Sequence, residues 1–476
     1  MTAEKELILT KKQRTLIMIP LLIGGFVALL NETLLNVAFP QLTSSLHVST
    51  STIQWLATAY MLIIGILVPV VAFLMETFTT KTLYLTAMIL FTIGAICCGL
   101  SQSFAALLTF RMLQGAGTGM LIPIMTNTVL SIYPVEKRGS AMGISLIVVV
   151  CAPAFGPTLS GLVLQHLNWH WLFFLVLPIA LIAIIIGSIS LKNVSNLTKP
   201  KIDVLSVILS TLAFGGLIFG ICSIENLGVF NVIVLVSLLC GFGGLTLFIK
   251  RQSTLKQPML ELRAFKFPMF SLGVAILMIS FMIPFSINII LPTYLQGSLG
   301  LSPFIAGLVL MPGGIVNGIA TPLSGYLFDK IGAKPLIITG FSILAIAMFF
   351  LSHISESTSL TIIIVLHISL FLGISLINTP TQTNTLNQLP KKYNSHGVAI
   401  TNTLQQISAA FGSSLFIGFM GSVQGKYLSK FKHPNALQQH KALISGVDTA
   451  FTVALILIIL GFVLSLFLKN SAKSEC

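Results

Sequence analysis

The chain reads as an all-α polytopic membrane protein. Three observations predict that class. Of the 476 residues, 55% are hydrophobic and only 8% charged, where a soluble domain carries roughly 25% charged residues. Mean hydropathy is +0.99. The apolar residues also fall in runs long enough to cross a bilayer. The net charge of +14 does not indicate nucleic acid, because the basic residues lie mostly in short loops, where a cytoplasmic membrane face collects them. Lys outnumbers Arg by 21 to 5, so no arginine-rich recognition surface is available.

At about 20 apolar residues per crossing, fourteen spans are predicted: 16–38, 53–75, 83–100, 104–130, 139–164, 171–191, 204–224, 229–249, 269–292, 303–327, 335–352, 360–386, 397–421 and 448–468. The first follows a basic N-terminus, as in a signal peptide. Its apolar run is too long, though, and no small-residue cleavage site follows, so an uncleaved span is expected. With both termini cytoplasmic, 21 of the 26 basic residues fall in internal segments; four (Lys426, Lys430, Lys432, Lys441) fall in the outer loop 422–447, and Arg111 lies inside a span. Of the six cysteines, Cys97, Cys98, Cys151, Cys222 and Cys240 lie in spans and Cys476 ends the chain. Their spacing indicates neither disulfides nor a metal site.

An internal repeat organises the chain. Gly325-Tyr-Leu-Phe-Asp329-Lys330-Ile-Gly332-Ala-Lys334-Pro335 closes span 10 and opens span 11. A degraded copy, Ala72-Phe-Leu-Met-Glu76-Thr-Phe-Thr-Thr-Lys81, joins spans 2 and 3, 253 residues earlier. A parallel repeat of six helices around a central cavity is predicted. The expected division is 1–191 for the first six-helix bundle, 192–266 for two inserted helices and a cytoplasmic linker, and 267–476 for the second bundle. In each loop the acid can face a helix N-terminus and a neighbouring base. Glu76, Lys81, Asp329, Lys330 and Lys334 are therefore expected to form a conformational switch.

Four motifs along the chain resemble those of the major facilitator superfamily, and the span count resembles its fourteen-span drug–proton antiporters. They are Leu30-Asn31-Glu32-Thr33-Leu34-Leu35-Asn36-Val37-Ala38-Phe39-Pro40 in span 1, Arg111-Met-Leu-Gln114-Gly115-Ala-Gly117-Thr-Gly119 in span 4, Ala152-Pro153-Ala154-Phe155-Gly156-Pro157-Thr158-Leu159-Ser160-Gly161 in span 5, and the loop at 325–335. The resemblance implies the major facilitator fold, with two six-helix bundles, two extra central helices and both termini cytoplasmic. It also implies multidrug efflux driven by a proton gradient. There are three departures. The family's usual span-1 aspartate aligns with Asn31, so the acid moves one place to Glu32. The first cytoplasmic loop lacks its glycine and most of its bases. Span 13 carries Gln405 where relatives often carry arginine.

Glu32 is the leading candidate for the chemistry. A carboxylate within a span costs about 3 kcal/mol on insertion scales and marks an ion, proton or substrate path. Counting the helical rise, Glu32 and Arg111 lie roughly 7 and 8 Å outward of the middles of their spans. They are expected to face one aqueous cavity and to interact directly or through water. Protonated Glu32 would release a cation and ionised Glu32 would attract one, so proton and substrate would compete for one site. The bland alternative is a static pair that only fixes helix packing. Asn36 shares the face of Glu32, whereas Asn31 is turned about 100° away. The remaining cavity candidates are Asn31, Gln114, Asn288, Asn317, Asn378, Asn402 and Gln405. Gly156 and Pro157 allow close approach and a bend in span 5, which is expected to control the outer opening. His367 is a possible proton carrier, against the ordinary alternative of a buried neutral histidine. Asp448 is read as the N-terminal acid of span 14.

These features predict a proton-coupled antiporter of the cytoplasmic membrane, multi-pass, bacterial and monomeric. Its expected partners are small amphipathic, cationic or zwitterionic substrates, protons and lipid. No cofactor is expected, with the proton gradient as energy source; no GxxxxGK[ST] phosphate loop is present, so ATP is not the direct energy source. The alternative within transport is a dedicated exporter of one metabolite, lipid or siderophore-like compound. A membrane enzyme would need clustered His, Asp, Glu or Ser, and a sensor would need a soluble output domain. The sequence offers neither.

Overall fold

A computed structural model describes residues 10–48, 50–194, 197, 203–228, 231–255, 258–355, 358–431 and 435–470. Lys5, Lys199, Lys201, Lys256, Lys432, Lys473 and Cys476 lie outside them, as do the side chains of Asn36 and Pro157, although both positions are helical. The elements are α1 (Lys11–Leu46), α2 (Thr50–Thr77), α3 (Thr80–Gly99), α4 (Phe104–Ile132), α5 (Arg138–His166), α6 (His170–Ser190), α7 (Val204–Ser210), α8 (Gly216–Leu227), α9 (Val232–Thr254), α10 (Pro268–Gly297), α11 (Pro303–Ile331), α12 (Ala333–Leu351), α13 (Leu360–Asn387), α14 (Asn394–Leu428) and α15 (Ala436–Leu466). Helix is the only open-chain solution that satisfies every backbone group in lipid. Side-chain caps at Thr10, Thr79, Ser103, Ser302, Ser359 and Asn435 start six of these helices, each satisfying an otherwise orphaned N–H.

Among the described residues, thirteen helices are long and apolar enough to cross a membrane. Helix α5, 29 residues long, occupies the fifth predicted position. One predicted boundary is corrected. Span 14 was placed at 448–468, but α15 starts at Ala436, where Asn435 and Gln438 form a capping box. The polar residues 436–447 continue the helix, which hydropathy cannot register. Asp448 is therefore twelve residues inside α15, not at its N-terminus.

The chain divides into two compact units. The first comprises residues 1–216, 240–264 and 390–403; the second comprises 217–239, 265–389 and 404–476. In the first, a π turn at Thr211–Gly215 follows α7 and is packed by Ile66 of α2 and by Gly244 of α9. Arg251 clamps this region by donating to both oxygens of Asp203, at 2.7 and 2.8 Å. Gln252 bonds Ser206 and the backbone N–H of Leu260. The bonds from Arg251 hold the Asp203 carboxyl down to about 2, well below the usual carboxylate range. Arg138 caps the C-terminus of α4 by donating to the carbonyls of Leu130 and Tyr133.

The second unit is built around an apolar core contributed by α10 to α15, including Phe341, Leu344, Ile377 and Phe451. The repeat is visible in its register. Helices α2 and α11 begin 253 residues apart, as do α3 and α12; α4 and α13 begin 256 apart. Gly117 of α4 lets the chain approach Ala87 and Phe91 of α3, where a Cβ would lie 2.5 Å from the Ala87 carbonyl. Gly373 of α13 meets Gly340 and Leu344 of α12 in the same way. Those are the corresponding positions under the two offsets, so one close-packed helix pair is used twice.

Candidate functional site

Helices α1, α2 and α4 of the first unit enclose the buried cation Arg111. It is 0% exposed. Its Nη1 donates to Asn31 Oδ1 at 2.5 Å and to Gln114 Oε1 at 2.8 Å, and Gln114 lies one turn along the same helix face. The guanidinium carbon stands 4.0 Å from the centroid of the Tyr60 ring, a desolvated cation–π contact of the kind worth about 2 kcal/mol. The Tyr60 hydroxyl donates to the Ala28 carbonyl at 3.3 Å and so accepts from Thr118 Oγ1 at 2.6 Å. Arg111 Nε and Nη2 have no acceptor among the described residues. A buried cation with unused donors is costly unless an anion completes its shell.

Of the two forms expected for the Glu32–Arg111 interaction, direct or through water, the direct one is not made among the described residues. Glu32 is partly buried and within electrostatic range of Arg111. Asn31 takes the contact instead. Depth arithmetic fixed the level of both charges but not the rotation of α1, and the face toward α4 is that of Asn31. The two residues do diverge by about 100° around the helix; the divergence simply favours Asn31. Tyr60 and Thr118 went unrecognised because nothing in the sequence distinguishes them from other residues of their spans.

Helix α5 approaches α1 immediately beside the acid. A Cβ at Gly156 would lie 2.0 Å from Thr33 Oγ1, whose hydroxyl donates back to the Leu30 carbonyl. The other cavity candidates scatter. In the second unit, Asn317 Oδ1 accepts from Ser375 at 2.6 Å, and Asn378 accepts from the Ser280 hydroxyl. Gln405 is buried with its Nε2 unpartnered among the described residues, and Asn288 is exposed. In the first unit, Asn402 donates to the carbonyl of Val398 in its own helix.

The candidate switch residues occupy helix ends. Glu76 Oε1 accepts from Ser395 Oγ at 3.0 Å and lies 2.9 Å from His396 Nε2, so the acid of the first loop reaches the first turn of α14 across 319 residues of sequence. Lys81 is partly buried in the first turn of α3. Asp329 and Lys330 close α11, with the Lys330 ammonium 4.5 Å from the Tyr326 ring. Gly332 then turns the chain at φ +82°, and the Lys334 N–H donates to Asn470 Oδ1 at 2.9 Å. Ser395, His396 and Asn470 were missed, because contacts between distant segments leave no local signal.

A polytopic helical protein with a repeated helix register and a charged cluster sealed among apolar spans belongs, as a class, with the membrane transporters. Residues 21–413 match the Major Facilitator Superfamily. The lincomycin resistance protein LmrB of Bacillus subtilis (strain 168) is 47% identical over 457 residues, covering 95% of both chains. LmrB of Listeria monocytogenes serovar 1/2a is 45% identical over 450 residues, covering 94% of this chain and 96% of the relative. The crystal structure of the human organic anion transporter MFSD10 matches with a TM-score of 0.64 at 13% identity, over 95% of this chain and 99% of that one. The chain belongs to the major facilitator superfamily. It is a multi-pass transporter of the plasma membrane, not an enzyme.

Proposed function

We propose that this transporter exports amphipathic, cationic or zwitterionic compounds in exchange for protons, and that Glu32 is where proton and substrate compete. The observation that carries this reading is the position of Glu32, one residue from Asn31, beside a buried Arg111 with two donor nitrogens unused among the described residues. An ionised Glu32 completes the shell of Arg111 or binds a cationic substrate group. A protonated Glu32 does neither, and leaves Arg111 to Asn31 and Gln114. Substrate release and proton uptake are thereby the same event, which is the minimum an exchanger requires. The energy source in this reading is the proton gradient alone.

Resistance to lincomycin, the property named in the LmrB relatives, is the natural starting substrate. Gly156, packed on Thr33 beside the acid, lets movements of α5 reach the site. Glu76, by holding Ser395 and His396, stabilises one of the two access states. Bacterial cells producing the protein are expected to accumulate less lincomycin than cells without it. A protonophore should abolish the difference; a difference that persists after the gradient is collapsed contradicts the coupling.

A further inference from the structure

The repeat carries Arg111 onto a second titratable side chain. Helices α4 and α13 begin at Phe104 and Leu360, and the 256-residue offset that superposes Gly117 on Gly373 also superposes Arg111 on His367. The 253-residue offset between α2 and α11 superposes Tyr60, the residue under the Arg111 guanidinium, on Gly313. The structure preserves that relationship. His367 lies directly on Gly313, where a Cβ would come within 2.2 Å of Nδ1. A tyrosine stacks beneath the cation in one half; in the other, a glycine makes room for an imidazole.

His367 is 2% exposed, and neither ring nitrogen has a hydrogen-bond partner among the described residues. Its ring packs edge-on against Phe371, 4.8 Å between centroids. One turn along α11 from Gly313 stands Asn317, and one turn further Thr321. Ser375 of α13 donates to Asn317 Oδ1, and Thr321 donates to the Asn317 carbonyl at 2.7 Å. Beyond Ser375, α13 buries Thr379, Thr381, Gln382, Thr383, Asn384 and Thr385. Of these, Thr379 Oγ1, Gln382 Oε1 and Thr385 Oγ1 have no hydrogen-bond partner among the described residues. The track ends where Asn384 Nδ2 donates to the Lys469 carbonyl. Buried hydroxyls and amides at this density are unusual in an apolar span, where unsatisfied polar groups are costly.

We infer that His367 is a second proton-binding residue of this transporter, at the head of a hydroxyl- and amide-lined track running along α11 and α13. The inference rests on the proton-coupled reading above and extends it to the second unit. Among the described residues, no titratable or charged group on the helices packed against α13 hydrogen-bonds the imidazole. Helix α10 brings Tyr294, whose hydroxyl donates to the Ser355 carbonyl. Helix α11 brings Tyr326, Asp329 and Lys330, at least 13 residues or about 20 Å along from Gly313. Helix α12 brings Lys334 in its first turn and His353 just past its last, the latter ring against Phe349. A proton on His367 is therefore governed by its immediate surroundings, Gly313, Phe371 and the polar track, and by opening of the helices around it.

The test is proton uptake by the purified full-length protein in nanodiscs, jumped from pH 8 to pH 4 in weak buffer and read with a soluble pH indicator. His367→Gln is expected to take up measurably less than the parent, by a fraction of a proton up to one per chain, at the same monodispersity. Equal uptake overturns the inference. Gly313→Ala keeps the imidazole but crowds it, and is expected to shift the midpoint of that proton by at least half a pH unit; an unshifted midpoint also overturns it. Uptake is read without transport, so failure here is distinguishable from failure of the antiport reading, which shows as proton-independent efflux by the parent protein.

Discussion

Arg111 is bonded to Asn31, the residue immediately before the only acid in the first span. The cation is fully buried, uses one nitrogen for two acceptors, and keeps Nε and Nη2 without partners among the described residues.

Arg111→Lys should be far from conservative. An ammonium supplies neither the planar stack on Tyr60 nor a fork reaching both Asn31 and Gln114. Losing one hydrogen bond to a charged group removes about 1.5–3 kcal/mol. At least about tenfold slower lincomycin efflux is expected at unchanged protein level, measured in inverted membrane vesicles. Asn31→Asp should also slow efflux, by giving Arg111 a permanent anion that competes with Glu32.

Glu76→Gln tests the contact with the first turn of α14. The amide oxygen still accepts from Ser395, but the pairing with His396 loses its charge. Faster access exchange is expected, seen as increased alkylation of engineered cysteines lining α14. Alkylation rates equal to the parent would assign Glu76 to packing alone.

Asp203 supplies a pH dependence with a definite sign. Its folded carboxyl sits at about 2 because Arg251 holds the ionised form. The contribution is therefore fully present above about pH 4, the ordinary carboxylate range, and is lost as pH falls toward 2. The pair is partly exposed, 34% and 20% for the two side chains, so solvent screening keeps its contribution small. Asp203→Asn should unfold slightly earlier than the parent at pH 7, and the gap should narrow below pH 4.

Much of this architecture was legible in the sequence, for physical reasons. Lipid demands long apolar runs, so the spans announce themselves. The loop at Asp329 and its degraded copy at Glu76 gave the 253-residue offset that α2, α3, α11 and α12 obey. The cost of burying charge singled out Glu32 and Arg111. What could not be read was rotation: helical rise gives depth, but the face of α1 that meets α4 is set by packing, and it proved to be that of Asn31. The start of α15 was misplaced because polar residues beyond an apolar run can remain helical. The partners of Glu76, and the seating of His367 on Gly313, depend on tertiary contacts over 319 and 54 residues and leave no local trace.

The central claim is that Glu32 exchanges a proton for substrate. Its most direct test is the proton dependence of lincomycin movement in proteoliposomes bearing the Glu32→Gln protein, which mimics the protonated acid permanently. An imposed pH gradient should drive uphill transport in the parent and none in the variant, while downhill lincomycin exchange persists at a reduced rate. Uphill, gradient-driven transport by Glu32→Gln at the parental rate would contradict the account.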